Sequence, residues 1–366
     1  MKIVFFISSL SSGGAERVLS VLVNHFVKNH NIVVVTGSKE VEDFYDLNPR
    51  VKRICLLGGN KEENSKISTV QIVSSSILAM VNIINTEKPD LVVSFISKMN
   101  VMAILASKIA RTPVVISEHS NPYSDISGFF RVARITLYRY ANFLVCPTVG
   151  VDKYFDRLVN VKQRAIINNP LPVGFSQSFN AEKKNKIIFM GRFSAVKRIE
   201  LLVEAVSLIS NELKEANWLV EIYGGGNKEE ENKLLQVIDF FELNNLVSFR
   251  GKTRNPREVM SESKILALTS KHESFGNAIT EAMACGCVPV STDCDFGPRE
   301  IITHEKDGLL TGHSAREIAK ALLQLVNNPV QLEGMQKEAV KIQRRLNVER
   351  IGFQWESVFQ KVAKRQ

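Results

Sequence analysis

Cysteine is scarce and scattered. Cys55, Cys146, Cys285, Cys287 and Cys294 show no spacing that would staple a small fold, so a disulfide framework is excluded and a reducing compartment fits. The last three lie close in sequence, but no histidine pairs with them and their spacing is not that of a zinc knuckle. They read as small buried thiols. No run of about 18 apolar residues occurs, so no membrane-spanning helix is expected. Residues 1–7 carry one basic side chain and a short apolar run without a cleavage pattern, and read as a first strand rather than a secretory leader. The dinucleotide fingerprint G-x-G-x-x-G is missing. Nucleic-acid recognition motifs and aromatic-interleaved basic runs are missing too, so no nucleic acid partner is expected. Negative charge is short in the first half: residues 1–170 hold 20 Lys and Arg against 13 Asp and Glu, whereas residues 171–366 hold 27 against 25. The basic half suits an anionic partner, such as a membrane surface or a phosphorylated acceptor.

What is present is enough chain for two cores, 366 residues with 45% hydrophobic and 23% charged content, as in soluble globular proteins. Apolar runs predict strands at 3–7, 32–35, 51–57, 89–95, 113–117 and 143–146, with helices at 17–26, 69–85, 99–110 and 128–141 between them. The polar stretch 58–68 reads as a mobile loop. Pro170 and Pro172 mark a stiff crossing. A second alternation follows, with strands at 186–190, 218–223, 247–249, 265–268 and 288–290. Its helices are expected at 199–209, 228–241, 276–285, 299–303, 314–327 and 329–346, with a last helix at 348–364. Such alternation implies doubly wound, mostly parallel α/β domains.

The stretch 270–290 concentrates the chemistry. After the strand at 265–268 comes a turn at Glu273, Ser274 and Phe275. Gly276 and Asn277 then open a helix that carries Glu281. Unpaired N–H groups at such an opening attract anions, and carboxylates beside it suit sugar hydroxyls. Arg192 and Lys197 follow the strand at 186–190 and suit a diphosphate; the alternative is a solvated basic loop. Gly13 and Gly14 at a strand-to-helix turn let backbone approach a ligand or simply make a tight turn, with Glu16 just beyond. Gly224 and Gly225 leave the same choice open. Glu118 and His119 sit in the segment 117–122 at a strand's carboxyl end, where open sheets place ligands. Arg131, Arg134 and Arg139, beside Phe129 and Phe130, are either a solvated helix face or a headgroup-binding one. Asp293 and Asp295 imitate a D-x-D metal motif but read as a loop before Gly297 and Pro298.

Together these residues resemble the retaining glycosyltransferases of the large family 4 (GT4). Glu273 through Glu281 is similar to that family's E-x7-E motif, Gly191 through Lys197 to its G-R-x(4)-K motif, and Gly13 through Val18 to its first loop, on the acceptor side. The resemblance spans essentially the whole chain and is strongest at 186–310. It implies an α/β GT-B fold, two Rossmann-like doubly wound domains facing a central cleft. The divisions it implies are 1–170 on the acceptor side, 171–345 for the nucleotide sugar, and 346–366 crossing back to the first domain. It further implies donor contacts at Gly14, Arg192, Lys197, Gly251, Ser274, Phe275, Gly276, Asn277 and Glu281, and catalytic roles for His119, Glu273, Arg192 and Lys197. Gly13, Glu16, Glu118, Arg131 and Arg134 fall on the acceptor side. The implied donor is a UDP-sugar, a hexose or N-acetylhexosamine, with no cofactor and no metal. The implied acceptor is an undecaprenyl-diphosphate-type saccharide at the inner face of the cell membrane. A nucleotide-sugar epimerase of the same fold, or a noncatalytic scaffold that binds sugar nucleotides, would share many of these residues.

Overall fold

The computed structural model describes residues 1–37, 43–56, 69–120, 122–123, 128–161, 163–175 and 182–364. The polar stretch 58–68 and Asn121, both singled out in the sequence, lie outside them. The chain divides into one compact unit made of Met1–Pro172 with Leu346–Gln366, and a second made of Val173–Arg345.

The first unit carries seven strands: β1 (Lys2–Ile7), β2 (Asn31–Thr36), β3 (Lys52–Cys55), β4 (Leu91–Phe95), β5 (Val114–Ser117), β6 (Phe143–Cys146) and β7 (Arg164–Ile166). They form one sheet in the order β3-β2-β1-β4-β5-β6-β7, with every pairing parallel. Every residue of β4, β5 and β6 is buried, because helices cover both faces of a parallel sheet and leave no polar side for alternation. The helices are α1 (Gly14–Phe26), α2 (Thr69–Glu87), α3 (Ser97–Ile109), α4 (Phe129–Leu137) and α5 (Val149–Leu158). The Thr148 hydroxyl caps α5 by accepting from the Val151 N–H.

The second unit holds β8 (Lys184–Arg192), β9 (Leu219–Gly225), β10 (Val247–Gly251), β11 (Ser263–Leu268), β13 (Val288–Thr292) and β15 (Leu309–Thr311) in the order β10-β9-β8-β11-β13-β15. A separate two-stranded ladder joins β12 (His272–Glu273) to β14 (Asp295–Phe296). Its helices are α6 (Ile199–Ser207), α7 (Ser210–Glu215), α8 (Lys228–Phe240), α9 (Pro256–Glu262), α10 (Asn277–Ala284), α11 (Gly297–Ile301), α12 (Ala315–Val326), α13 (Pro329–Ala339) and α14 (Ile342–Arg345). Asn227 with Glu230 and Ser314 with Glu317 form reciprocal capping boxes that fix where α8 and α12 begin.

The last helix, α15 (Val348–Ala363), belongs to the first unit. Its Phe359 ring meets Phe26 of α1 edge-on at 5.0 Å, and Glu356 accepts from His30 at 2.6 Å. Asn347 caps it through the Arg350 N–H.

Several expected boundaries shift. The helix expected at 128–141 ends at Leu137 and tightens into a 3-10 turn over Tyr138–Tyr140. The helix expected at 329–346 breaks into α13 and α14. The loop expected at 293–298 contains β14, and the helix after it starts earlier than expected, at Gly297. β14 exists through its pairing with β12, which local pattern does not encode.

Candidate functional site

In the second unit, the chemistry collects on loops at the carboxyl ends of the neighbouring strands β8 and β11. Arg192 ends β8, is exposed, and pairs with no acid among the described residues. Five residues on, Lys197 turns back, and its Nζ lies 2.5 Å from Glu273 Oε1. Ser270 donates its hydroxyl to the same oxygen at 2.7 Å. The Lys197 backbone is fixed in turn, because the Thr269 hydroxyl donates to its carbonyl at 2.9 Å. Arg198, at a positive φ of 47°, donates to the Thr269 and Ser270 carbonyls and to His313 Nδ1. The cation-bearing loop is therefore stitched to the end of β11 at several points.

Glu273 sits in β12, whose pairing with β14 holds the loop 273–275 in place. Ser274 is half-buried and Phe275 is buried. Gly276 then adopts a φ of 104°, a conformation L side chains rarely take, and opens α10. Asn277 is the first residue of that helix. Glu281, on its second turn, is 2% exposed, which removes the reading of it as an ordinary surface residue. Gly224 approaches Gly191 so closely that a Cβ would lie 1.8 Å from the Gly191 carbonyl oxygen, and its φ is 133°. This glycine is required by the packing of β9 on β8, not by a free turn. Gly251 ends β10 at a φ of 69° beside open space.

The two aspartates do not converge. Asp293 accepts from Arg299 Nε at 3.0 Å, while Asp295 lies in β14. Among the described residues no group of three or more His, Cys, Asp or Glu is placed to hold a metal ion. Burial pushes the Cys287 and Cys294 thiols up to about 12, so both are protonated near neutrality.

In the first unit, His119 follows β5. Its ring stacks on Phe95 at 4.8 Å and 9°, and its Nε2 lies 2.9 Å from Ser117 Oγ. Burial pushes its pKa down to about 3, so the imidazole is neutral across the physiological range. Glu118 departs from its expected role as an acceptor contact. It is fully buried, and accepts from Ser97 Oγ at 2.7 Å, from the Tyr138 hydroxyl at 2.6 Å and from the Ser120 N–H at 3.2 Å. A carboxylate so fully engaged inside the fold holds the loop around His119 instead of meeting a substrate. Glu16 is also buried, and its carboxylate folds back over Gly13. Gly14 is the first residue of α1.

Arg131 and Arg134 of α4 and Arg139 of the 3-10 turn after it do not share one exposed face. Arg131 and Arg139 are exposed, but Arg134 is 3% exposed, donates to the Pro122 carbonyl and lies over the Phe155 ring. Around the two exposed cations stand Phe129, Val132 and Tyr140, all open to solvent. Lys108 and Arg139 lie over the Tyr140 ring, and Lys98 lies over Phe130. No acidic residue occurs in α3 or α4. No described helix is long and apolar enough to cross a membrane.

A model described as "Glycosyl transferases group 1" matches residues 174–342, and one described as "Glycosyltransferase Family 4" matches residues 12–172. The chain is 28% identical over 351 residues to the GalNAc-alpha-(1->4)-GalNAc-alpha-(1->3)-diNAcBac-PP-undecaprenol alpha-1,4-N-acetyl-D-galactosaminyltransferase of Campylobacter jejuni, covering 93% of this chain and 92% of that protein. It is 24% identical over 332 residues to the amylovoran biosynthesis glycosyltransferase AmsD of Erwinia amylovora, covering 88% and 89%. Among solved structures, Anabaena Alr3699/HepE in complex with UDP-glucose matches with a TM-score of 0.83 at 20% identity, over 99% of this chain and 100% of that one.

Proposed function

The chain belongs to the GT-B-fold glycosyltransferases of group 1 and family 4, and from that premise we propose that it moves a hexose or N-acetylhexosamine from UDP to a lipid-diphosphate-linked saccharide, with retention. One observation carries this reading: Lys197 meets Glu273 beyond the carboxyl ends of two neighbouring strands, the first of which ends in Arg192. Breaking the bond from sugar to UDP places growing charge on the diphosphate. Fixed cations that meet this charge lower the barrier without reorganising. Arg192, exposed and without an acid partner among the described residues, and Lys197 serve as those cations. Glu273, held by Ser270 and Lys197, orients the sugar hydroxyls, and Glu281 takes the ribose. The opening of α10 at Gly276 and Asn277 adds N–H donors.

The acceptor hydroxyl must lose a proton. A base as weak as the His119 imidazole, whose pKa is pushed down to about 3, gains little by taking one. This supports transfer of the proton to the leaving phosphate oxygen, with the neutral His119 as a hydrogen-bonding group beside the sugar. No metal enters this scheme, because the diphosphate is met by side-chain cations. The Campylobacter relative's name supports a polyprenyl-linked acceptor, and the UDP-glucose complex of the Anabaena protein supports a UDP donor. The exposed aromatic and cationic surface of α3 and α4 supports peripheral binding to an anionic membrane.

The test is incubation of the purified protein with a panel of UDP-sugars and a short lipid-diphosphate saccharide in EDTA, following free UDP and product mass. One sugar added to the acceptor is the expected result. UDP-sugar conversion without an elongated acceptor would point to an epimerase, and binding without turnover to a scaffold. Activity restored only by manganese would overturn the metal-independent scheme.

A further inference from the structure

Three rings in the first unit form a continuous stack. His119 lies on Phe95 at 4.8 Å and 9°, and Phe95 lies on Trp355 of α15 at 6.1 Å and 15°. Phe95 is fully buried and Trp355 is 2% exposed, so neither has room to swing away. The backbone around them is held with equal care. Phe95 pairs with Ser117 in the ladder between β4 and β5. The next residue, Ile96, takes a φ of 74°, costly for a β-branched side chain, and donates its N–H to the Ser117 carbonyl. Asn100 donates to the same carbonyl at 3.0 Å, and Ser97 donates to Glu118. A strained residue beside a locked loop marks a place where position is maintained at the expense of stability.

We propose that Trp355 is a positioning residue for sugar transfer, acting through Phe95 to hold the His119 imidazole at one depth and angle. This rests on the role assigned to His119 above. The indole supplies a flat backing that keeps Phe95 parallel to the imidazole, so the orientation of a ring at the end of β5 depends on a helix more than two hundred residues later. An aliphatic side chain is smaller than the indole and presents no flat face, so it leaves Phe95 free to tilt. Misplacement of a reacting group by about 1 Å can cost about 100-fold in rate.

The experiment compares Trp355→Phe and Trp355→Leu with the wild type. The His119 ring signal is followed by NMR in histidine-labelled protein, assigned by its loss in His119→Gln, and steady-state rates are measured with the donor that the wild type uses. In Trp355→Leu, the His119 signal shifts and titrates at higher pH than in the wild type, and kcat falls about 10-fold or more while the donor KM changes less than about threefold. Trp355→Phe keeps the wild-type ring signal and most of kcat. A His119 signal in Trp355→Leu that matches the wild type in shift and titration overturns the proposal. So does equal damage in both variants that tracks a common loss of the urea unfolding midpoint, since Trp355 would then be packing alone. If no protein in the series transfers sugar, the assigned function fails, while the ring signal still decides whether Trp355 places His119.

Discussion

Lys197 Nζ stands 2.5 Å from Glu273 Oε1, although 76 residues separate them in sequence. The cation assigned to the diphosphate and the carboxylate assigned to the sugar are thus partners before any donor arrives. Arg192 has no such partner among the described residues and is exposed at the end of β8. The two cations therefore differ in what they give up on binding: Lys197 exchanges or shares an acid, and Arg192 exchanges only water.

Arg192→Ala is expected to lower turnover by about 100-fold or more, the scale of losing one fixed donor to developing charge. The urea unfolding midpoint should stay at the wild-type value, since the side chain is exposed. Steady-state kinetics beside a denaturation curve would check both, and an unchanged rate would remove Arg192 from the diphosphate.

Glu273→Gln keeps the shape of the loop but removes the negative charge facing Lys197. If that charge orients the sugar, kcat falls while UDP itself binds as tightly as before or more tightly. Calorimetric titration with UDP separates the two effects. Weaker UDP binding would show that Glu273 shapes the nucleotide site instead.

The pH dependence of stability carries a sign. Burial lowers the His119 pKa to about 3 from an ordinary 6.5, so the unfolded chain binds the proton more readily. The stabilisation from keeping this ring neutral is complete above about pH 6.5 and is lost as the pH falls from there toward 3. Urea denaturation at pH 7 and pH 4.5 should show a larger loss for the wild type than for His119→Gln. Parallel losses would mean that the ring is better solvated than its stacking implies.

Tyr138→Phe deletes one of the hydroxyl donors to the buried Glu118 carboxylate. The expected destabilisation is about 1–3 kcal/mol, because the acceptor stays buried when its donor goes. Denaturation midpoints measure it. A neutral result would mean that water replaces the phenol.

Much of the second unit was legible in the sequence because its signals are local. The spacing of Arg192 and Lys197, the helix opening at Gly276 and the alternation of strands with helices all lie within short windows. The Lys197–Glu273 contact was not legible, since it depends on β8 and β11 being neighbours in the sheet. Arg134 was misread for a similar reason. Its partners, the Pro122 carbonyl and the Phe155 ring, come from outside its helix, so only the folded chain shows that they enclose it. Glu118 read as a loop carboxylate open to substrate. Its donors Ser97 and Tyr138 lie 21 residues earlier and 20 later, so only the folded chain shows that they converge.

The place of α15 in the first unit has a consequence for the order in which the molecule is made. Phe26, His30 and Phe95 emerge early from the ribosome, but Phe359, Glu356 and Trp355 follow only after the whole of residues 173–345. The second unit has all its residues available first. The early-born half must wait, with an apolar flank uncovered, until nearly the last turn of helix has been synthesised. During translation, then, the interval most open to chaperone capture or misassembly belongs to the part of the chain that was made first.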